Sequence, residues 1–244
     1  MKPTLITTAN ARILYDASAI DAPETIQFES EYWAHADALV RGLPGRGSAV
    51  VIPCTSGEAV LKRYLRGGLL AKINRALYIF SGYENSRAFR EFRLLEQMHK
   101  MNLPVPEPLA ALCERQGFVF SQMALMTKML AATETLAEKQ LLGTVSNDHW
   151  ETMGKVLSKF HKKGVYHADL NANNLLINTA GQVFLIDFDK CRLKTPSFRW
   201  QNNNIQRLKR SLMKLFPAES FPLSGWSILL SSYQLNISGK NVHE

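Results

Sequence analysis

No apolar run in the 244 residues approaches the eighteen or so needed to cross a bilayer, so the sequence offers no membrane span. Cysteine is scarce. Cys54, Cys113 and Cys191 are odd in number and far apart, which fits a reducing compartment and excludes a disulfide framework or a metal knuckle. The opening MKPTLITTANARILYDASAI is broken by polar residues where a secretory leader needs an unbroken apolar stretch, so a soluble cytosolic chain is expected. Internal repeats, low-complexity tracts and Gly/Ser linkers are also missing. What remains is an ordinary globular composition, 46 % hydrophobic and 20 % charged, which excludes a disordered or collagen-like chain. The length suits one compact domain or two closely packed lobes. Lysine and arginine number 29 against 21 aspartates and glutamates, a net charge of +8. That excess calls for an anionic partner, such as nucleic acid, phosphate or a membrane surface, without choosing among them.

Along the chain, residues 1–130 read as one lobe of mixed strand and helix, and residues 131–244 as a second, more helical lobe. GLPGRGSAVVIPCTSGEAVLKRYL (42–65) reads as a glycine-rich turn between apolar stretches, ending in a short strand that carries Lys62. In ENSRAFREFRLLEQMHKMN (84–102), Phe89, Phe92, Leu95 and Met98 fall on nearly one side of a helix, which Pro104, Pro106 and Pro108 end. GFVFSQMALM (117–126) reads as a pair of strands. Trp150, Met153, Val156, Leu157 and Phe160 form a helical stripe, with Ser146, Asn147 and Asp148 as caps before it and Gly164 after it. Beyond lie short strands at Leu175–Ile177 and Val183–Asp187, joined by a turn at NTAG, and a last helix near Asn204–Leu215.

The informative stretch is H-A-D-L-N-A-N-N at 167–174 followed by I-D-F-D at 186–189. It matches the kinase pattern H-x-D-L-x-x-x-N and then D-F-x. Six fixed positions, each about one in twenty, leave a chance match of about 10⁻⁵ over all starts and gap lengths. The chemistry explains the spacing, because phosphoryl transfer needs an oriented hydroxyl and charge neutralisation rather than covalent help. Asp169 is the candidate to accept the hydroxyl proton, while Asn174 and Asp187 are candidate Mg²⁺ ligands on an ATP phosphate chain. His167 is expected to scaffold the loop, and Asn171 and Asn173 to cap turns. E-A-V-L-K (58–62) is similar to the V-A-I-K strand, so Lys62 is expected on the phosphates and paired with Glu91, with Glu84 and Glu96 as other possible partners. Gly45 and Gly47 in G-L-P-G-R-G-S offer backbone amides to a nucleotide, although a plain hairpin turn gives the same pattern.

Taken with R-Y-x-R-G-G (63–68) and N-I-Q-R-L-K-R-S-L-M-K (204–214), these motifs resemble the 3-deoxy-D-manno-octulosonic acid (Kdo) kinase family. The resemblance runs from about Tyr32 to about Lys214, with Asn173 standing where that family's motif has His, and no family pattern follows Lys214. It implies an α+β, protein-kinase-like bilobal fold with a small sheet-rich N-lobe and a mainly helical C-lobe. It also implies ATP- and Mg²⁺-dependent phosphorylation of the 4-hydroxyl of Kdo on a lipid A precursor, in lipopolysaccharide synthesis at the cytoplasmic face of a Gram-negative inner membrane. Another sugar kinase of the same fold, of heptose or aminoglycoside type, predicts the same catalytic residues. The residues themselves favour a small or lipid acceptor over a protein: Asp189 replaces the Gly of D-F-G, no A-P-E follows, and only about a dozen residues reach the next helix. The basic residues then gain candidate partners in the Kdo carboxylate and lipid phosphates. Arg63, Arg66, Lys72 and Arg75 are such candidates in one lobe, and Arg207, Lys209 and Arg210 in the other, with Arg66 foremost beside Gly67 and Gly68. No nucleic-acid module is found, so nucleic acid is not an expected partner.

Overall fold

The computed structural model describes residues 1–35, 41–42, 49–65, 78–217 and 219–238. Gly45, Gly47, Arg66, Lys72 and Arg75 lie outside the described residues. The chain divides into two compact units, Met1–Glu96 with Pro106–Met129, and Gln97–Val105 with Leu130–Glu244.

The first unit is built on one antiparallel sheet. Its elements are β1 (Pro3–Thr7), β2 (Ala11–Asp16), α1 (Ser30–His35), β3 (Arg41–Gly42), β4 (Ala49–Cys54), β5 (Gly57–Arg63), β6 (Tyr78–Ile79), α2 (Arg87–Lys100, whose last turn belongs to the second unit), β7 (Pro108–Gln116) and β8 (Phe120–Lys128). The strands run in the order β1-β2-β7-β8-β5-β4-β3, with β6 also pairing β8. The two central strands carry the apolar runs: Pro108–Cys113 is continuously buried, as expected of a strand covered on both faces. In β5, the period of two puts Ala59 and Leu61 into the core beside Ile13, Phe28, Leu112 and Met126, leaving Val60 and Lys62 on the other face. Phe89, Phe92, Leu95 and Met98 of α2 are all buried, as their spacing predicts, each worth about 2 kcal/mol relative to exposure. Residues 117–126 are not two strands. Gly117, with φ +69°, opens a three-residue loop, and the rest belongs to β8, whose partner β7 precedes it.

The second unit contains β9 (Thr133–Thr135), α3 (Leu136–Leu141), α4 (Asn147–Lys162), β10 (Val165–Tyr166), β11 (Leu175–Asn178), β12 (Val183–Leu185), β13 (Arg192–Leu193), α5 (Phe198–Leu215) and α6 (Leu223–Ser238). Ser146 caps α4, its hydroxyl accepting the His149 amide. Gly164 ends the helix at φ +76°, where an added Cβ would meet the Lys194 carbonyl at 2.3 Å. α4 packs closely on α6 because each helix turns a glycine toward the other: a Cβ at Gly154 would lie 2.5 Å from the Leu229 carbonyl, and one at Gly225 2.1 Å from Trp150 Nε1. α5 starts at Phe198, ahead of the expected Asn204, and α6 occupies the tail that showed no pattern. The architecture is α+β, sheet-rich in the first unit and mainly helical in the second. No helix among the described residues is long and apolar enough to cross a membrane.

Candidate active site

In the first unit the structure brings together Lys62 and Glu91. Lys62, on β5 between Ala49 and Leu125 of the neighbouring strands, places Nζ 3.1 Å from Glu91 Oε1 and 3.0 Å from Oε2. Glu91 is 4 % exposed, and a carboxylate so far from water persists only with strong donors around it. Lys62 supplies one, and the Tyr64 hydroxyl, 2.5 Å from Oε2, supplies another. The Tyr64 ring also lies 5.0 Å from Lys62 Nζ and 5.2 Å from the Arg87 guanidinium. Glu84, one of the other partners considered for Lys62, forms a two-pronged pair with Arg93 instead. Arg63 donates to Glu29 and to Gln122 Oε1. Burial raises the Glu29 carboxyl above its ordinary range, with Arg63 acting against that shift.

In the second unit, residues 167–174 form a loop tied down from several sides. His167 is buried, its ring tilted against Phe188 at 5.0 Å. Its Nε2 lies 3.0 Å from the Ile186 carbonyl, and its Nδ1 accepts the Asp169 amide at 3.3 Å. Those two bonds assign the neutral ring with its proton on Nε2, a strut between two loops rather than a base. Asn171 is the hub of the turn. Its amide nitrogen donates to both the backbone carbonyl and Oδ2 of Asp169, and its Oδ1 accepts the amides of Asn173 and Asn174. Asp169 itself faces solvent, with Arg207 Nη1 3.5 Å from Oδ1.

Asn174 and Asp187 stand at the neighbouring ends of two paired strands because β11 and β12 form a hairpin that pairs Leu175 with Leu185. The Ile186 amide continues the ladder to the Asn174 carbonyl at 3.1 Å. The ladder then stops, short of the strand expected through Asp187, because Asp187 has φ +62° and leaves the extended region. Such a conformation in a non-glycine residue costs energy and is concentrated at functional sites. The Asn174 amide nitrogen donates to the Asp169 carbonyl at 2.9 Å, which fixes the side chain. Its Oδ1 accepts no hydrogen bond among the described residues. An amide oxygen fixed at one strand end, with an aspartate at the end of the paired strand, is donor chemistry that suits Mg²⁺, which takes few protein ligands and completes its shell with water and phosphate oxygens. Among the described residues, no group of three or more His, Cys, Asp or Glu is placed to hold a metal.

Sequence reasoning named His167 as a scaffold and Arg207 as an acceptor contact, but missed the residues of the next helix as supports of the loop. Asn204 on α5 is buried and clamps His167 by both backbone groups, accepting its amide at 3.2 Å and donating to its carbonyl at 3.0 Å. One turn on, Arg207 reaches Asp169; one turn further, Ser211 Oγ accepts the Ala172 amide at 3.0 Å. Positions 204, 207 and 211 share one helix face, which gives N-I-Q-R-L-K-R-S its polar rhythm. Cys191 Sγ accepts the Ala168 amide at 3.2 Å. A buried-side asparagine among Ile205, Leu208 and Leu212 was the available signal.

The model of the lipopolysaccharide kinase (Kdo/WaaP) family matches residues 30–233. A 3-deoxy-D-manno-octulosonic acid kinase of Xylella fastidiosa (strain 9a5c) is 40 % identical over 204 residues, 83 % of this chain and 80 % of that protein. Proteins of the same name from Stenotrophomonas maltophilia (strain R551-3) and Xanthomonas axonopodis pv. citri (strain 306) are 38 % and 39 % identical, over the same shares of each chain. A solved structure of WaaP in complex with acyl carrier protein shares the fold, with a TM-score of 0.53 over 88 % of this chain and 87 % of that one, at 13 % identity.

Proposed function

The chain belongs to the lipopolysaccharide kinase (Kdo/WaaP) family, and on that footing we propose that it transfers the γ-phosphoryl group of ATP to the 4-hydroxyl of Kdo on a lipid A precursor. The observation that carries this reading is the loop 167–174, which turns Asp169 outward while tying the Asn174 side chain to the Asp169 carbonyl and its backbone to Ile186, one residue before Asp187. In the proposed reaction Asp169 orients the acceptor hydroxyl and takes its proton as the oxygen bonds to the γ-phosphorus. The bond from that phosphorus to the bridging β-oxygen breaks, and ADP leaves. Asn174 and Asp187 hold Mg²⁺, which when bound neutralises charge on the phosphate oxygens. Lys62, steadied by Glu91 and Tyr64, holds phosphate oxygens. His167 and Asn204 keep the loop in shape.

Arg207 is the proposed contact for the acceptor. Its guanidinium and the Asp169 carboxylate are both solvent-exposed, so their pairing is weak and easily exchanged. An incoming sugar carboxylate is a better partner, because Arg can grip it with two parallel hydrogen bonds. An acceptor contact at Arg66 rests on the sequence alone, and Arg63 is engaged with Glu29 and Gln122. Incubating the protein with labelled ATP, Mg²⁺ and a Kdo-bearing lipid A precursor tests the reading. Label is expected in the glycolipid; none there, or label only in a heptose-bearing acceptor, overturns it.

A further inference from the structure

The tip of the β7–β8 hairpin carries side chains that its fold does not require. A three-residue hairpin loop needs one residue of positive φ, and Gly117 supplies it at +69°. The other two positions ordinarily hold polar turn formers. Here they are Phe118 and Val119, which are 92 % and 56 % exposed. The patch continues around them. Phe120, 39 % exposed, is paired directly with Ile79 of β6, 65 % exposed, and the Phe80 amide donates to the Val119 carbonyl at 2.8 Å. Four exposed apolar side chains are thus gathered at one loop and the short strand beside it.

The residues behind this tip are amphipathic rings and guanidinium groups. Arg115 lies 5.2 Å from the Phe80 ring, Phe80 packs edge-on against Tyr83 at 4.9 Å, and Arg12 lies 4.7 Å from the Tyr83 ring. Arg87 lies 5.1 Å from the Tyr78 ring and donates to its hydroxyl at 2.6 Å. The acidic groups nearby are few: Glu84 is matched by Arg93, and Glu114 accepts from Asn10 and Gln116. Apolar tip, aromatic belt and cationic rim is the order of chemistry met on moving out of a bilayer, from hydrocarbon through the headgroup boundary to anionic phosphates.

We infer that the β7–β8 hairpin is the element that docks the protein on an anionic lipid surface, with Ile79, Phe118, Val119 and Phe120 entering the acyl boundary and Arg12, Arg87 and Arg115 facing the headgroups. The inference rests on the reading of the acceptor as a glycolipid, which sits in such a surface. A tip of four exposed side chains suits a bilayer better than a protein partner, whose interface needs a broad complementary face of about 800 Å² on each side. The net charge of +8 gives the attraction the correct sign.

The test uses the full chain and vesicles of phosphatidylethanolamine with phosphatidylglycerol, free of any Kdo lipid. The wild type is expected to float with the vesicles. The double variant Phe118→Ser, Val119→Ser is expected to lose at least about tenfold in partitioning, with an unchanged melting temperature. Phe118→Trp is expected to shift its fluorescence to the blue when these vesicles are added. Wild type that stays in the aqueous phase, a double variant that floats as well as wild type, or an unshifted spectrum would each overturn the inference. So would a double variant that turns a dimer into a monomer with flotation unchanged, since the tip would then be a contact between protein copies. Transfer to acceptor in detergent micelles, measured on the same samples, reports the catalytic reading separately. Flotation without transfer sinks that reading alone, and transfer without flotation sinks the docking alone.

Discussion

Asp169 is turned outward, and its carboxylate contacts are Asn171 on one oxygen and Arg207 on the other. Removing its carboxylate should therefore leave the loop largely intact and remove the proton acceptor we propose. Asp169→Ala is expected to lower kcat by about 10³-fold with nucleotide affinity nearly unchanged, as measured by steady-state kinetics and equilibrium nucleotide binding. Asp187→Ala is expected to weaken Mg-ATP binding as well, and unchanged nucleotide affinity there would count against its metal role. Asp169, Asn174 and Asp187 could be nominated from the sequence because they fall within nineteen residues, so their spacing is written locally. Tyr64 was not legible: its hydroxyl finds Glu91 only when strand and helix have assembled. Asn204 was hidden for the same reason, lying 37 positions from the histidine it clamps.

At the scale of elements, α5 and α6 do different work. α5 supports the candidate loop through Asn204, Arg207 and Ser211, while α6 packs on α4 through small residues. At Gly154 a methyl group would meet the Leu229 carbonyl at 2.5 Å and Ser232 Cβ at 2.8 Å, so backbone has to move. Gly154→Ala is expected to cost about 1–3 kcal/mol, seen as a lower midpoint in thermal denaturation, whereas an unchanged midpoint would show that the two helices can separate freely. α4 was plain from its stripe and caps, because those are local. α6 was not, because a helix that turns glycine and serine toward its partner lacks the simple apolar stripe that identified α4. The end of β12 was missed by two residues, since nothing in I-D-F-D announces that Asp187 adopts a left-handed conformation.

For the whole molecule, stability and charge give separate expectations. His161 is buried against Tyr233, whose hydroxyl lies 2.8 Å from Nδ1, and against the edge of Trp200. Burial pushes its pKa down to about 4, with the Asn204 hydrogen bond opposing the shift. The unfolded chain, near 6.5, therefore takes up this proton first as pH falls. The resulting stability is complete above pH 6.5 and is lost on the way down to pH 4, about 3 kcal/mol in all. The wild type should accordingly lose more of its melting temperature between neutral pH and pH 5 than His161→Gln does. Parallel curves would contradict this. The excess positive charge pointed only to an anionic partner; the family match makes the chain a lipopolysaccharide kinase, and a phosphorylated glycolipid at a bilayer is the partner we propose for that charge. The most direct measurement is two-dimensional phosphorus–proton NMR on the product isolated after incubation with ATP, Mg²⁺ and the Kdo-bearing lipid A precursor. The expected spectrum couples the new phosphorus to the proton on C4 of Kdo; a phosphorus coupled to any other position, or no phosphorylated sugar at all, contradicts the account.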